Sequence, residues 1–171
     1  MKRLTVFTVV FLLGMVFIPA FCFGEDPAEG FWLSVDEKTG KATGGWELYV
    51  VGDMLLGKVL SLADLPQDKI ASQCKESYRG FPLPGKVNEM PVVGTPWIFG
   101  LTRNKEPGSW KDGHVIDAGT GSMWKCKIIY RPGDGKKFMT DVLEMRGELF
   151  LGIGRSQYWQ KSTLEEASSL R

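Results

Sequence analysis

A single histidine, His114, stands between two carboxylates, Asp112 and Asp117, and is the first place in this chain where proton transfer could be arranged. A general base needs an imidazole within reach of the proton it takes, and a carboxylate to orient it. On an extended strand, however, His114 and Asp117 point to opposite faces, and nothing in the sequence indicates where a nucleophile would stand. The segment Gly52-Asp53-Met54-Leu55-Leu56-Gly57-Lys58 has the spacing of a phosphate-binding loop. Val59 replaces the Ser or Thr that would hold magnesium, the Met-Leu-Leu centre has strand character, and no helix follows to offer its N-terminus. It reads as a hairpin. Metal binding finds no ligand spacing either, with one histidine, separated cysteines and scattered acids. The expectation is a chain with no catalytic residues, no metal and no cofactor.

The remaining reactive side chains depend on the compartment, which the N-terminus decides. Lys2 and Arg3 precede a run from Leu4 to Phe21 that is apolar apart from two threonines and a glycine, with Pro19 near its end. Cys22 and Gly24 then lead into Glu25-Asp26-Pro27. This is the layout of a secretory signal peptide over residues 1–24, cleaved after Gly24, which sends the protein to the periplasm or the exterior. A retained anchor is the alternative, since the run approaches the roughly 20 residues that span a bilayer. Lipidation at Cys22 is disfavoured by the bulky Phe21. After cleavage no stable membrane insertion is expected. Two cysteines, Cys74 and Cys126, survive, and in an oxidising compartment an even pair is read as a disulfide. Closing so long a loop would stabilise by about 3–4 kcal/mol in the chain-entropy view. Two buried thiols are the other reading.

Of 171 residues, 147 remain after cleavage, enough for one domain with a real core. The leader removes two basic residues and no acid, leaving 19 basic against 20 acidic. A near-neutral chain with interspersed signs offers no electrostatic footprint for nucleic acid. All six tryptophans, Trp32, Trp46, Trp97, Trp110, Trp124 and Trp159, lie in the mature region. They either fill a core or wall a cavity for a small apolar or amphipathic molecule. Alternation makes Trp46, Trp124 and Tyr130 the inward-facing candidates for contacting such a ligand.

The elements that would position these residues are short strands. Phe31–Val35, Trp46–Val51 and Met54–Leu62 come first, the last two joined at Gly52-Asp53. Trp97–Arg103, Trp110–Asp117 and Met123–Tyr130 follow. The last has the cleanest alternation, with Trp124, Cys126, Ile128 and Tyr130 on one face and Lys125 and Lys127 on the other. Phe138–Met145, Leu149–Ile153 and Ser156–Ser162 complete the set. Ala63 to Pro91 is broken by prolines and glycines, with room for one helical turn near Leu65–Lys75. Part of it is expected to fold over an opening, or to present a recognition surface. Residues 163–171 form a polar tail, frayed or weakly helical. Eight or nine sequential strands without helical crossovers imply an antiparallel meander that stacks or closes. Closure, which leaves no edge, is favoured over residues 25–162.

Three segments taken together carry a resemblance. They are Gly30-Phe31-Trp32; Gly113-His114-Val115-Ile116-Asp117 with Gly121 and Trp124-Lys125-Cys126-Lys127-Ile128; and Gly154-Arg155-Ser156-Gln157-Tyr158-Trp159 after Arg146-Gly147. This arrangement resembles a bacterial family of exported proteins known as domain of unknown function 2147. The family's pattern opens on G-x-W, has a central G-G-[RK]-I-x-D-P-x-x-G-K-x-Y and closes on G-R-[ST]-Q-x-W. The resemblance spans about Gly30 to Trp159. The chain departs at His114, at Asp117-Ala118 where many members carry Asp-Pro, and at Leu56 and Val93, where some carry cysteine. The family is similar to the lipocalins and their calycin relatives. That implies an all-β, eight-stranded up-and-down barrel with Gly30, Trp32, Arg155, Gln157 and Trp159 in structural closure. In particular it implies that Arg155 covers Trp32, a cation over an indole face worth about 0.5–2 kcal/mol. The export signal, the strand count and the aromatic inward faces favour a binder of a small hydrophobic or amphipathic ligand over an enzyme, the alternative being a solid-core envelope interaction module.

Overall fold

The computed structural model describes residues 26–148 and 154–171. Its strands are β1 (Gly30–Val35), β2 (Ala42–Val51), β3 (Met54–Leu62), β4 (Pro96–Arg103), β5 (Ser109–Asp117), β6 (Ser122–Arg131), β7 (Val142–Glu148) and β8 (Gly154–Ser162). A short helix, α1 (Leu164–Ser168), follows. Each strand pairs antiparallel with the next, and β8 returns to β1, so the sheet closes into an eight-stranded up-and-down barrel. At the seam Phe31 lies opposite Ser162, Trp32 opposite Lys161 and Leu33 opposite Gln160.

Local chemistry explains the strands. In β6, Cys126 and Ile128 are buried while Lys125 and Lys127 are exposed, the two-residue period of a sheet wet on one side. The β2–β3 hairpin has Val51 opposite Met54, with Gly52 at φ 61° in the first turn position, where a type II′ turn requires a positive φ. The Gly52–Lys58 segment is therefore a turn and a strand, and Lys58 is spent on Glu47 at 2.8 Å.

The apolar interior falls into two clusters. The first holds Trp32, Leu48, Leu55, Ile98, Leu101, Trp110, Ile128, Leu143 and Trp159, with Cys126 among them. It fills the end of the barrel where β1 begins and β8 finishes. Four of the six tryptophans, Trp32, Trp97, Trp110 and Trp159, are almost wholly buried, so most of the indole content is core. The second cluster forms where the long segment between β3 and β4 packs back on the barrel, joining Ala71, Cys74, Val87 and Val92 to Val59, Trp97, Phe99 and Ile116.

This segment, residues 63–95, acts as a strap. The room for a helical turn near Leu65–Lys75 is taken by turns and an Ile70–Pro91 bridge, and the strap's helical piece is a 3-10 turn at Val87–Glu89. The strap is pinned to the β5–β6 turn, where the Tyr78 hydroxyl donates to the Gly121 carbonyl at 2.7 Å. Gly121 has φ 71°, and a Cβ there would lie 2.2 Å from the Gln73 carbonyl oxygen. Its place in the central motif is thus explained by close approach of the strap.

Several expectations are corrected. β7 begins at Val142 rather than Phe138, because the Asp134 carboxylate accepts the backbone N–H groups of Lys136, Lys137 and Phe138 and holds them in a turn. Of the two readings of the tail the helical one holds and fraying does not: Thr163 and Glu166 form a capping box, Ala167 is fully buried and the Ser61 hydroxyl donates to its carbonyl at 2.7 Å. Cys74 and Cys126 are both free and buried. They belong to separate apolar clusters, and the cross-strand neighbours of Cys126 are Gly113 and Gly147. The expected strand Leu149–Ile153, the leader 1–24 and Cys22 lie outside the described residues.

Candidate functional site

Above the packed end the barrel is hollow. A cavity of about 780 Å³ opens between the β1–β2 turn, the strap and the β5–β6 turn. That volume lies within the range of about 300–1,000 Å³ that small-molecule sites occupy. Trp46 of β2 and Trp159 of β8 form its floor, stacked at 4.8 Å between ring centroids and 29° between planes. Both also pack on the filled cluster, so they mark the boundary between solid and hollow halves. Their N–H groups are satisfied sideways, Trp46 Nε1 donating to Ser34 Oγ at 3.2 Å and Trp159 Nε1 to Gln157 Oε1 at 3.2 Å. Trp159 is almost wholly buried beneath the stack, so the half-buried Trp46 is the indole of the pair with surface left to meet an occupant. Trp124, Trp97, Val115 and Met145 continue the apolar wall.

The rim is polar. Arg155 and Lys69 line it on the basic side and Asp117 on the acidic side. Arg155 donates to Glu37 Oε2 at 2.9 Å, on the turn that follows the neighbouring strand β1. The neighbouring Asp36 is held below the usual carboxylate range, chiefly by the backbone N–H and hydroxyl of Thr39. Asp117 is consumed by its own turn, accepting from Gly119 N and Thr120 Oγ1, both at 2.9 Å.

Of the residues expected to contact a ligand, Trp46 and Trp124 lie on the cavity wall. Tyr130 does not. It lies at the filled end, 6.4 Å from Trp32 in an edge-on arrangement, with its hydroxyl donated to Asp141 at 2.5 Å. That bond raises the phenol to about 12, with burial adding to it. Alternation on β6 continues to Tyr130, but depth along the barrel, not face, separates it from the cavity.

The closure residues divide in the same way. Gly30 and Trp32 are at the filled end, Gly30 opposite Leu48 and Trp32 with its indole N–H on the Ala28 carbonyl at 3.0 Å. Arg155, Gln157 and Trp159 line the cavity instead. The cation over the Trp32 ring is Lys161, at 4.4 Å, and not Arg155. Register is the reason: Lys161 is opposite Trp32, six residues along β8 from Arg155, whose own cross-strand partner is Gly147. The alternation Arg155, Gln157, Trp159, Lys161 along β8 could have shown that Arg155 shares a face with the cavity floor. Lys69, on the irregular strap, carries no periodic signal at all.

Among the described residues, His114, Asp112 and Asp117 are not brought together as a proton-transfer set. The His114 ring stacks on Phe99 at 5.7 Å, Asp112 faces Lys111 at 3.6 Å, and no hydrogen bond joins His114 to Asp112 or Asp117 among the described residues. Burial pushes the Cys126 thiol up to about 12, and burial also raises Cys74, the opposite of nucleophile activation. Among the described residues no group of His, Cys, Asp or Glu could hold a metal ion.

Residues 30–161 match a family described as an uncharacterized protein conserved in bacteria, DUF2147. The chain belongs to that family. No curated protein matches the DUF2147 chain. Among solved structures it is similar to protein HP1028 from the human pathogen Helicobacter pylori, described as belonging to the lipocalin family. The two share 16% identity at a TM-score of 0.61, over 81% of this chain and 85% of that one. At that identity the likeness concerns the fold alone: a closed eight-stranded up-and-down barrel, lipocalin-like in architecture.

Proposed function

We propose that this DUF2147 protein is an exported, non-catalytic binder of one small apolar or amphipathic molecule, held in the hollow half of the barrel. The observation that carries the reading is the cavity of about 780 Å³ floored by the Trp46–Trp159 stack. A solid-core interaction module would have no such space, and the strap that could have served as its recognition surface is largely folded down on the barrel. Export rests on residues 1–24 and a periplasmic or extracellular address; protein recovered from that compartment should begin at Glu25.

Titration with the neutral apolar probe N-phenyl-1-naphthylamine tests the binding reading. Intrinsic tryptophan emission should change saturably at one equivalent, and Trp124→Ala should weaken the probe about tenfold, the scale of one lost aromatic wall. A linear, unsaturable response in the parent protein would overturn the reading.

A further inference from the structure

The large hydrophobic side chains left exposed among the described residues are unevenly placed. Leu65, Ile70, Leu83 and Met123, on the strap and beside the β5–β6 turn, are the less exposed set. The more exposed set adjoins strand ends at the filled end of the barrel: Val51 and Met54 on either side of the β2–β3 turn, Leu164 just after β8, and Met139, 79% exposed, just before β7. The β6–β7 loop holds Met139 out on a fixed turn. The Asp134 carboxylate gathers the N–H groups of Lys136, Lys137 and Phe138, Asp141 accepts from Gly133 N at 3.0 Å, and the Phe138 ring rests on Tyr158 at 5.2 Å. Lys137 lies over both rings, at 4.9 and 5.2 Å, and neither it nor Lys136 forms an ion pair among the described residues. Over residues 131–141 the charges are Arg131, Lys136 and Lys137 against Asp134 and Asp141, and both carboxylates are held by the loop's own N–H groups. Glu144 below is bonded to Arg131 and Ser156. Asp53, Glu106 and Glu165 are open on the other connections of this end, with Lys105 among them, so the positive excess belongs to the β6–β7 loop.

Residues 1–24, with their apolar run from Leu4 to Phe21, lead into the barrel at Asp26, beneath this same end. Read as a leader, they hold the filled end at the membrane until they are cut. We infer that the filled end is a peripheral docking face for a bilayer containing anionic phospholipid. Met139 and Phe138 enter the headgroup boundary, Lys136 and Lys137 meet the lipid phosphates, and Val51 and Met54 make a second apolar contact. One small apolar anchor binds a membrane only marginally, and the two lysines supply the second attraction that makes the contact useful. Apolar residues on separate turns, with lysines between them, suit a soft interface in which stems are buried and ammonium groups stay wet. A protein partner would ask for one contiguous patch instead. Docked in this way, the barrel turns the mouth of its cavity to the aqueous side. The inference is independent of what the cavity holds.

Flotation of the processed protein, beginning at Glu25, tests it with vesicles of phosphatidylglycerol and phosphatidylethanolamine and with vesicles of phosphatidylcholine alone. The anionic vesicles should bind about tenfold more tightly, and high salt should remove the difference. Met139→Asp and the double variant Lys136→Gln, Lys137→Gln should each weaken binding about tenfold. Orientation is read from Met139→Cys, Met54→Cys and Met123→Cys, each labelled with an environment-sensitive dye while Cys74 and Cys126 stay buried. On anionic vesicles the dyes at 139 and 54 should shift to the blue, and the dye at 123 should not. Absence of flotation, equal binding to both vesicle types or parent-like binding by either variant overturns the inference. So does a dye at 139 or 54 that stays unshifted, or one at 123 that moves.

Discussion

Asp26 lies beneath the filled end of the barrel with its side chain only 4% exposed. Its carboxylate accepts from Arg103 Nη1 at 2.7 Å, Trp110 Nε1 at 3.0 Å and the Ala28 backbone N–H at 3.0 Å. Arg103 in turn lies over the Trp110 ring at 4.4 Å. Removing the carboxylate strands a buried indole N–H, and a buried donor without a partner costs about 1–3 kcal/mol. The half-exposed Arg103 adds little, because water screens it. Asp26→Ala should therefore lower stability by about 2–3 kcal/mol in urea unfolding, and Asp26→Asn, which keeps an acceptor for Trp110, by about half as much. Equal losses in the two variants would show that charge, not the indole bond, carries the site. Asp26 stands at the start of the described chain, in a Glu-Asp-Pro stretch that reads simply as the region after a leader. No local pattern announces its role, since its partners are 77 and 84 residues away.

At the scale of the elements, the strands were legible because alternation survives wherever one face is wet, as in β6, where lysines mark the outer face. Legibility failed where a side chain competes for the backbone, as Asp134 does before β7, and where register decides contact. The family resemblance implied Arg155 over Trp32, yet the β1–β8 pairing places Lys161 there, its ammonium also donating to the Glu29 carbonyl at 3.0 Å. A cation over an indole at an exposed position is worth about 0.5–1 kcal/mol. Lys161→Ala should consequently cost about 1 kcal/mol, lowering the thermal midpoint by about 2–4 °C for a domain of this size. Arg155→Ala should leave that midpoint unchanged. The reverse ranking would place the seam's cation where the resemblance put it. The cavity was not legible at this scale, because it is the volume left over when eight strands and a strap have packed. Trp46 and Trp124 on the wall and Tyr130 below it share one alternation pattern.

For the whole molecule, closure protects groups that would ionise in the open chain. The Tyr130 phenol and the Cys126 thiol are each raised to about 12, the first mainly by Asp141 and the second by burial, from ordinary values of 10.0 and 9.0. Above pH 9 the unfolded chain therefore gives up protons that the folded barrel keeps. Stability from these groups is whole below pH 9 and is lost progressively toward pH 12. Urea midpoints measured from about pH 8 to about pH 11 should fall steadily, and Tyr130→Phe should fall less over the upper part of that span. A flat profile in the parent protein would mean that neither group is shielded in solution. The paired indoles that divide the barrel have one more consequence. Two parallel-leaning chromophores 4.8 Å apart share their excited states, so their circular dichroism is a coupled, two-signed band rather than a sum of two independent ones. Any molecule that settles on them and alters their tilt rewrites that band, which gives this barrel an unlabelled optical gauge of whether it is carrying anything.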